Sequence, residues 1–403
     1  MSNNDITRKH SAGFSLVELM IAMVIGLVLI AGIVQVFVAS RSTYAVADGL
    51  ARLQENGRFA IGFLTRDLRV SGQTGCARCN INSFLDPTQG GNSTPFNVDS
   101  PISGFEYTDT DPAEGDSYTI TSMDPSGASA TNWTDGTQNL NAVLSDLNGN
   151  VVEGTDVLFL RGMRSLPNLT LKNNNNNLTS ASLNFTDSTG LGQGQIVMVA
   201  NAGTADLFQN TQKANASSTS RGSGCGGEEP CNVTPNNSNP WSSAWDSNAT
   251  VYALMSKAYY IGAADADGDG TRETPGLWEI DFSSGTGSAQ TRELLRGVEN
   301  MQVLYGVDTQ PDATRRADQY VSADDVTSTA NGWQDVVAVR VALLVRTNDE
   351  IPQTGPGAGN PPITMLSAAT GAGNTLQITP QNDRRARRVF STTVAIRNLI
   401  MRK

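Results

Sequence analysis

Histidine is almost missing from this chain: one occurs among 403 residues, at position 10. Ser-His-Asp and Cys-His catalysis need an imidazole to carry the proton, and imidazole is also a standard zinc ligand. Past His10 all of these arrangements are excluded. Carboxylate pairs could still do acid–base work, but no spacing singles one out, so the chain reads as non-enzymatic. Charge is sparse at 17% of residues, and its balance is acidic at −11. An acidic surface argues against direct binding of nucleic acid, whose phosphates call for Lys and Arg. Cysteine is confined to Cys76, Cys79, Cys225 and Cys231. Proline does not occur before Pro87, so nothing upstream forbids one long helix.

The largest gap in charge is the most informative. No ionisable side chain lies between Glu18 and Arg41, and Gly13 to Ala39 form a nearly unbroken apolar run. At about 1.5 Å rise per residue, such a helix spans the roughly 30 Å hydrocarbon core of a bilayer. Arg8 and Lys9 precede it and should stay cytoplasmic, which places everything after Arg41 on the far side. A secretory signal peptide needs small residues after a shorter apolar core. Here Ser11-Ala12-Gly13 come before the run, so cutting there keeps the helix. Glu18, a carboxylate at the start of a membrane span, is costly without a partner and therefore marks a function.

Gly13-Phe14-Ser15-Leu16-Val17-Glu18-Leu19 resembles the prepilin motif of type IV pilins and of type II secretion pseudopilins. The resemblance implies that prepilin peptidase cuts between Gly13 and Phe14 and methylates the new terminus, so that residues 1–13 are a leader. Glu18 then meets the fresh ammonium of a neighbouring subunit's Phe14. Pairing the two charges relieves two desolvation costs together, whereas either charge alone in lipid is expensive.

Two further stretches resemble the C-terminal half of PilW-type minor pilins: Glu293-Leu-Leu-Arg-Gly-Val-Glu-Asn-Met-Gln-Val-Leu-Tyr-Gly-Val-Asp308 and Trp333-Gln-Asp-Val-Val-Ala-Val-Arg-Val-Ala-Leu-Leu-Val-Arg346. Arg388-Val-Phe-Ser-Thr-Thr-Val-Ala-Ile-Arg-Asn398 is similar to the closing strand of that family and of J-type minor pseudopilins. The resemblance implies a minor pilin that initiates assembly of, or sits at the tip of, a type IV pilus. Twitching motility, adhesion and, indirectly, DNA uptake would depend on it. Implied partners are other minor pilins, the major pilin, the inner-membrane assembly platform and a PilY-type tip adhesin. The implied location is the bacterial inner membrane, single-pass, with the ectodomain in the periplasm. A J-type pseudopilin and a ligand-binding tip adhesin stand as rival readings.

The residues predict an α+β fold, and the resemblance implies that it is pilin-like. Val46, Leu50, Leu53, Gly57, Ile61, Leu64 and Leu68 recur in three- and four-residue steps, with Asp67 among the charges placed off this stripe. One helix is predicted from Phe14 to Val70, crossing the membrane over residues 14–40 and amphipathic over 41–75. Pilins often carry a helix-breaking proline in the membrane half; here that position is Gln35, with Gly26 and Gly32 as softer points. The helix should lie on an antiparallel, β-rich ectodomain of residues 76–403. Strands are predicted at Ser117–Met123, Asp156–Met163, Gln195–Ala200, Val251–Ile261, Leu277–Asp281, Glu293–Val307 with a break near Gly297, Asp335–Arg346 and Phe390–Asn398. The apolar run Val336–Val345 predicts a central strand, and Arg296 and Arg340 are expected on edges or solvated faces. The Asn- and Ser-rich stretches Asn173–Asn177 and Thr211–Asn248 are expected to be surface loops without fixed structure.

Smaller signals leave alternatives. The four cysteines allow three disulfide pairings in an oxidising compartment, local or crossed, beside a zinc site or a CxxC redox pair. Asp265, Asp267 and Asp269, with Gly270 at the turn and Glu273 as a partial ligand, have the oxygen spacing of a calcium loop. The twelfth position is Gly276 where a bidentate Glu belongs, so a solvated acidic hairpin competes with Ca2+ binding. The Arg384–Arg388 cluster reads as a solvated face, ahead of a contact with lipid headgroups or a partner. Trp241 and Trp245 either mark a contact surface or pin their loop.

Overall fold

A computed structural model describes residues 15–397, apart from 76–79, 92, 113–114, 145–146, 148, 174, 176, 226–228, 286–288, 311–315, 351–360 and 368–374. Helix α1 runs unbroken over Leu16–Val70, 55 residues, or about 82 Å at helical rise. This is the continuous helix the apolar spacing predicts. Neither Gly26 nor Gly32 interrupts it. The first predicted residue, Phe14, lies outside the described residues.

Strands follow in the order β1 Asn80–Ser83, β2 Ile102–Tyr107, β3 Ser117–Thr119, β4 Trp133–Thr134 and β5 Val157–Ser165. Next come β6 Ser182–Asn184, β7 Ile196–Ala200, β8 Thr204–Gln209, β9 Ser218–Ser220 and β10 Thr250–Ala264. The rest are β11 Thr274–Asp281, β12 Gln290–Arg296, β13 Val298–Val307, β14 Gln319–Val321 and β15 Val336–Arg346, then β16 Ile363–Ser367, β17 Thr375–Thr379 and β18 Arg387–Ala395. Short helices α2 (Leu140–Val143) and α3 (Ala323–Val326) lie in the connections.

The large sheet has the order β1-β8-β7-β10-β5-β2-β4, with β11 and β12 added beside β10. A smaller sheet has the order β14-β13-β15-β18. Pairing is antiparallel except for β1 with β8 and β3 with β17. The architecture is α+β, as expected.

The core follows from strand alternation. Along β10, Tyr259 and Ile261 enter the cluster shared with α1 and the small sheet, while Tyr260 enters a second cluster on the other face. Strand β15 is buried on both sides: Val339, Val341 and Leu343 are fully enclosed, and so are Ala342 and Leu344. A strand covered on both faces is expected to be a continuous apolar run, and this one is. The predicted break at Gly297 separates β12 from β13. Its φ is +83°, and a Cβ there would sit 2.9 Å from the Arg346 carbonyl oxygen, so only glycine fits without strain.

Three expectations need correction. The strand predicted over Ser117–Met123 is only three residues long. The predicted end at Asn398 lies outside the described residues, and β18 stops at Ala395. The Asn/Ser-rich insert is not structureless. Its strand β9 pairs with β6, and Trp241 and Trp245 are only 2% and 1% exposed. They join Phe84, Phe185, Phe208 and Val251 in a third cluster over one end of the large sheet. Trp245 donates to Asp206 at 2.8 Å, and the buried Arg221 guanidinium lies 3.9 Å from the Phe84 ring centroid and 4.3 Å from that of Trp241. The tryptophans pin the insert. Polar composition hid this because two large rings and a few spaced aliphatics suffice to build a small core.

Candidate functional site: the N-terminal helix and its seat

The helix has two halves with opposite surroundings. From Leu16 to Val38 its large apolar side chains are exposed, and the most apolar window has mean hydropathy 2.8 with no residue buried. That is long and apolar enough to cross a membrane. Glu18 sits in the first turn, exposed, where a carboxylate suits the positive end of the helix dipole. Among the described residues no ion pair involves Glu18. Gly13 and Phe14, the expected processing residues, lie outside the described residues.

The second half is seated. Leu53, Gly57, Ala60, Leu64, Asp67 and Leu68 are its buried residues, facing β15 and β18. At Gly57 a Cβ would lie 2.2 Å from the Phe390 ring, so helix and strand meet there without room for a methyl group. Beside this contact a groove of about 630 Å3 runs between α1 and β18, lined by Arg58, Ile61, Gly62, Arg66, Arg69 and Phe390 among others.

Asp67 corrects the reading of the helix. It lies on the buried face, 4% exposed, not off the apolar stripe. Lys257 Nζ is 2.7 Å from its Oδ2, and the Tyr259 hydroxyl donates to the same oxygen at 2.5 Å. Lys257 and Tyr259 also reach Glu279, at 3.1 and 3.0 Å, and Arg292 closes the chain on Glu279 at 2.8 Å. Burial pushes the Asp67 carboxyl up, but the hydrogen bonds from Lys257 and Tyr259 outweigh it and hold Asp67 below the usual carboxylate range. The same environment drives the Tyr259 phenol far above its ordinary value, first by burial and then by the Asp67 charge. This network bolts α1 to β10 and β11 with every charge partnered. One sequence signal could have pointed to it: Asp67 lies seven residues after Ala60 and three after Leu64, spacings that share one face of a helix.

A second buried network corrects the reading of the Arg384–Arg388 cluster. Arg384 is solvated and pairs with Glu350, but the Arg387 side chain is only 3% exposed and grips fully buried Glu299 with two nitrogens, at 2.7 and 2.9 Å. Asp383 binds Arg387 at 2.6 Å, and Arg346 approaches Glu299 at 3.4 Å. Forked guanidinium–carboxylate pairs of this kind fix geometry as well as charge. Here they join the ends of β13, β15 and β18. Arg296 is exposed and pairs with Glu293, as expected of an edge. Arg340 is half-buried, its guanidinium 4.1 Å from the Tyr320 ring centroid, rather than freely solvated.

Cys225 and Cys231 are bonded to each other. That excludes the crossed pairings and a four-cysteine zinc site; Cys76 and Cys79 lie outside the described residues. In the acidic hairpin, Asp265, Asp267 and Asp269 bring carboxylate oxygens within 4.8 Å of one another, all exposed. Glu273 is not part of that group. The loop's own amides from Gly268, Gly270, Asp269 and Thr271 already bond these carboxylates.

A membrane-length helix with one acid at its start, seated by its other half on a β-rich domain, defines a membrane-anchored, prepilin-like protein. The Prokaryotic N-terminal methylation motif matches residues 8–34, and the family described as Type IV Pilus-assembly protein W matches residues 258–398. Over these residues the chain is similar to PilW-type, pilin-like proteins associated with the type IV pilus. The matched families are structural rather than catalytic. No curated protein and no solved structure matches the chain. The PilW match holds β11 to β18 and, with Tyr259, Glu279 and Phe390, most of the helix seat.

Proposed function

We propose that this protein is a minor pilin, cleaved between Gly13 and Phe14, that helps initiate a type IV pilus or occupies its tip. The observation that carries the reading is the division of α1: a bare apolar half bearing Glu18, and a half locked to the ectodomain. A helix fixed at one end and uncovered at the other presents its apolar surface first to lipid and then to other helices of its kind. In that setting Glu18 takes the ammonium of an incoming subunit's Phe14, and the ectodomain is carried on the periplasmic side of the inner membrane. Its partners are other minor pilins, the major pilin, the assembly platform and a PilY-type tip adhesin. The PilW match favours the pilus over a type II secretion pseudopilus. Within this reading the Asp265–Asp269 turn takes a weakly held calcium ion on the protein surface, an accessory to the fold rather than to assembly.

Mass spectrometry of the protein from its native membrane tests the cleavage. The expected product begins at a methylated Phe14 and keeps the apolar helix. A product that retains residues 1–13, or that has lost the helix, would contradict the reading.

A further inference from the structure

Glu106 and Asp156 stand apart from the networks described above. Asp156 directly precedes β5, and the β2–β5 register, with Phe105 opposite Val157, places Glu106 across from it. Side chains directly opposite in an antiparallel pair stand about 4.5–5.5 Å apart at Cβ. Both residues are buried, at 3% and 2% exposure. Among the described residues no Lys or Arg pairs with either. Arg161, the buried cation on β5, gives its donors to the Ser100 and Thr94 carbonyls and the Ser103 hydroxyl instead.

The groups that face the pair make matters worse for two negative charges. Asp324 on α3, Asp111 beyond β2 and the Tyr305 hydroxyl on β13 all lie within electrostatic reach. Donors are few: Thr110 Oγ1 to Glu106 at 2.9 Å, Val303 N to Asp156 Oδ2 at 2.7 Å, and the Tyr107 amide towards Asp156. Asp156 Oδ1 is buried without a hydrogen-bond partner. An unpaired buried acceptor is expensive, and two buried carboxylates without a cation are more so. One proton removes both problems, because a protonated Glu106 becomes the donor that Asp156 Oδ1 lacks. Burial and then the Asp156 charge push the Glu106 carboxyl well above its ordinary range. Burial does the same to Asp156 against the pull of the Val303 and Tyr107 amides.

We infer that Glu106 and Asp156 share one proton and form an acid-closed latch between the two sheets. The latch spans them because Asp156 also bonds β13 twice, through its own N–H to the Met301 carbonyl at 2.9 Å and through its carboxylate to Val303. The sign follows from the raised values. The unfolded chain loses these protons near the ordinary values of 4.5 and 3.8, while the folded chain keeps one. Folding then takes up a proton, so the latch's contribution is complete below about pH 4 and is lost as pH rises through the folded value.

The test is urea unfolding of the full-length protein in detergent, from about pH 5 to about pH 9, for wild type and Glu106→Gln. The glutamine keeps the shape and offers Asp156 an N–H without titrating. The wild-type unfolding constant is expected to climb with pH more steeply than the variant's, by up to about tenfold per pH unit. Parallel curves would overturn the inference. Should Glu106→Gln fail to fold, infrared spectroscopy of the wild type decides alone. A carboxylic acid C=O stretch at neutral pH that shifts in heavy water is expected, and its absence would overturn the shared proton.

Discussion

Glu18 and Asp67 are both carboxylates on one 55-residue helix, and their surroundings are opposite. Asp67 is enclosed, with Lys257 and Tyr259 from its own chain within 2.7 Å. Glu18 stands exposed among apolar side chains. A buried acid whose partners come from the same chain serves the fold of that chain. In the proposed function, an acid placed in a membrane-length stretch without such a partner serves a meeting with another molecule. The contrast separates what builds the ectodomain from what assembles it.

The contrast predicts different phenotypes for the two acids and their neighbours. The largest effect on stability is expected at Asp67. Asp67→Ala takes from Lys257 the closer of its two carboxylates and from the Tyr259 hydroxyl its shorter bond, and should cost about 3 kcal/mol, read as a lower denaturation midpoint of the purified protein. A loss below about 1 kcal/mol would mean the bolt is not what holds the helix down. Removing the Cys225–Cys231 bridge by a double serine substitution should cost about 2 kcal/mol, given its short loop, and loosen the insert while leaving the helix seat intact. Gly57→Ala drives a methyl group into Phe390 and should cost about 1–3 kcal/mol.

The pH dependence sharpens the comparison within the ectodomain. Asp67 and Asp383 are both held below their ordinary value of 3.8. Their contributions are therefore present above about pH 4 and are lost as pH falls through the folded values. Acid below about pH 4 should loosen the helix seat, and Asp67→Asn should flatten that acid limb in a stability–pH curve. Calcium has the smallest expected effect. Titration should raise the melting temperature of the wild type slightly and leave Asp267→Asn unchanged.

Much of this architecture was legible because it depends on period. The helix, the Gly297 break, the doubly buried run of β15 and the closing strand β18 each show a long pattern or a single glycine with one conformational meaning. What stayed hidden depends on contacts distant in sequence. Strands β2, β8 and β9 are short or carry Gly, Ser and Asp, so their membership in a sheet is settled by neighbours rather than by propensity. Lys257, Glu279 and Arg387 look like solvated charges until the fold brings Asp67 and Glu299 to them. Their partners are 190 and 88 positions away, beyond any local pattern. The candidate site was legible at Glu18, where the solvent itself is unusual, and illegible at its seat.

The most direct test of the account is Glu18→Ala in the native host, scored both by the melting temperature of the purified protein and by its recovery in sheared filaments. The account predicts an unchanged melting temperature, normal removal of residues 1–13, and at least a tenfold drop in recovery, the equivalent of about 1.4 kcal/mol. Wild-type recovery, or a drop explained by a destabilised ectodomain, would contradict it.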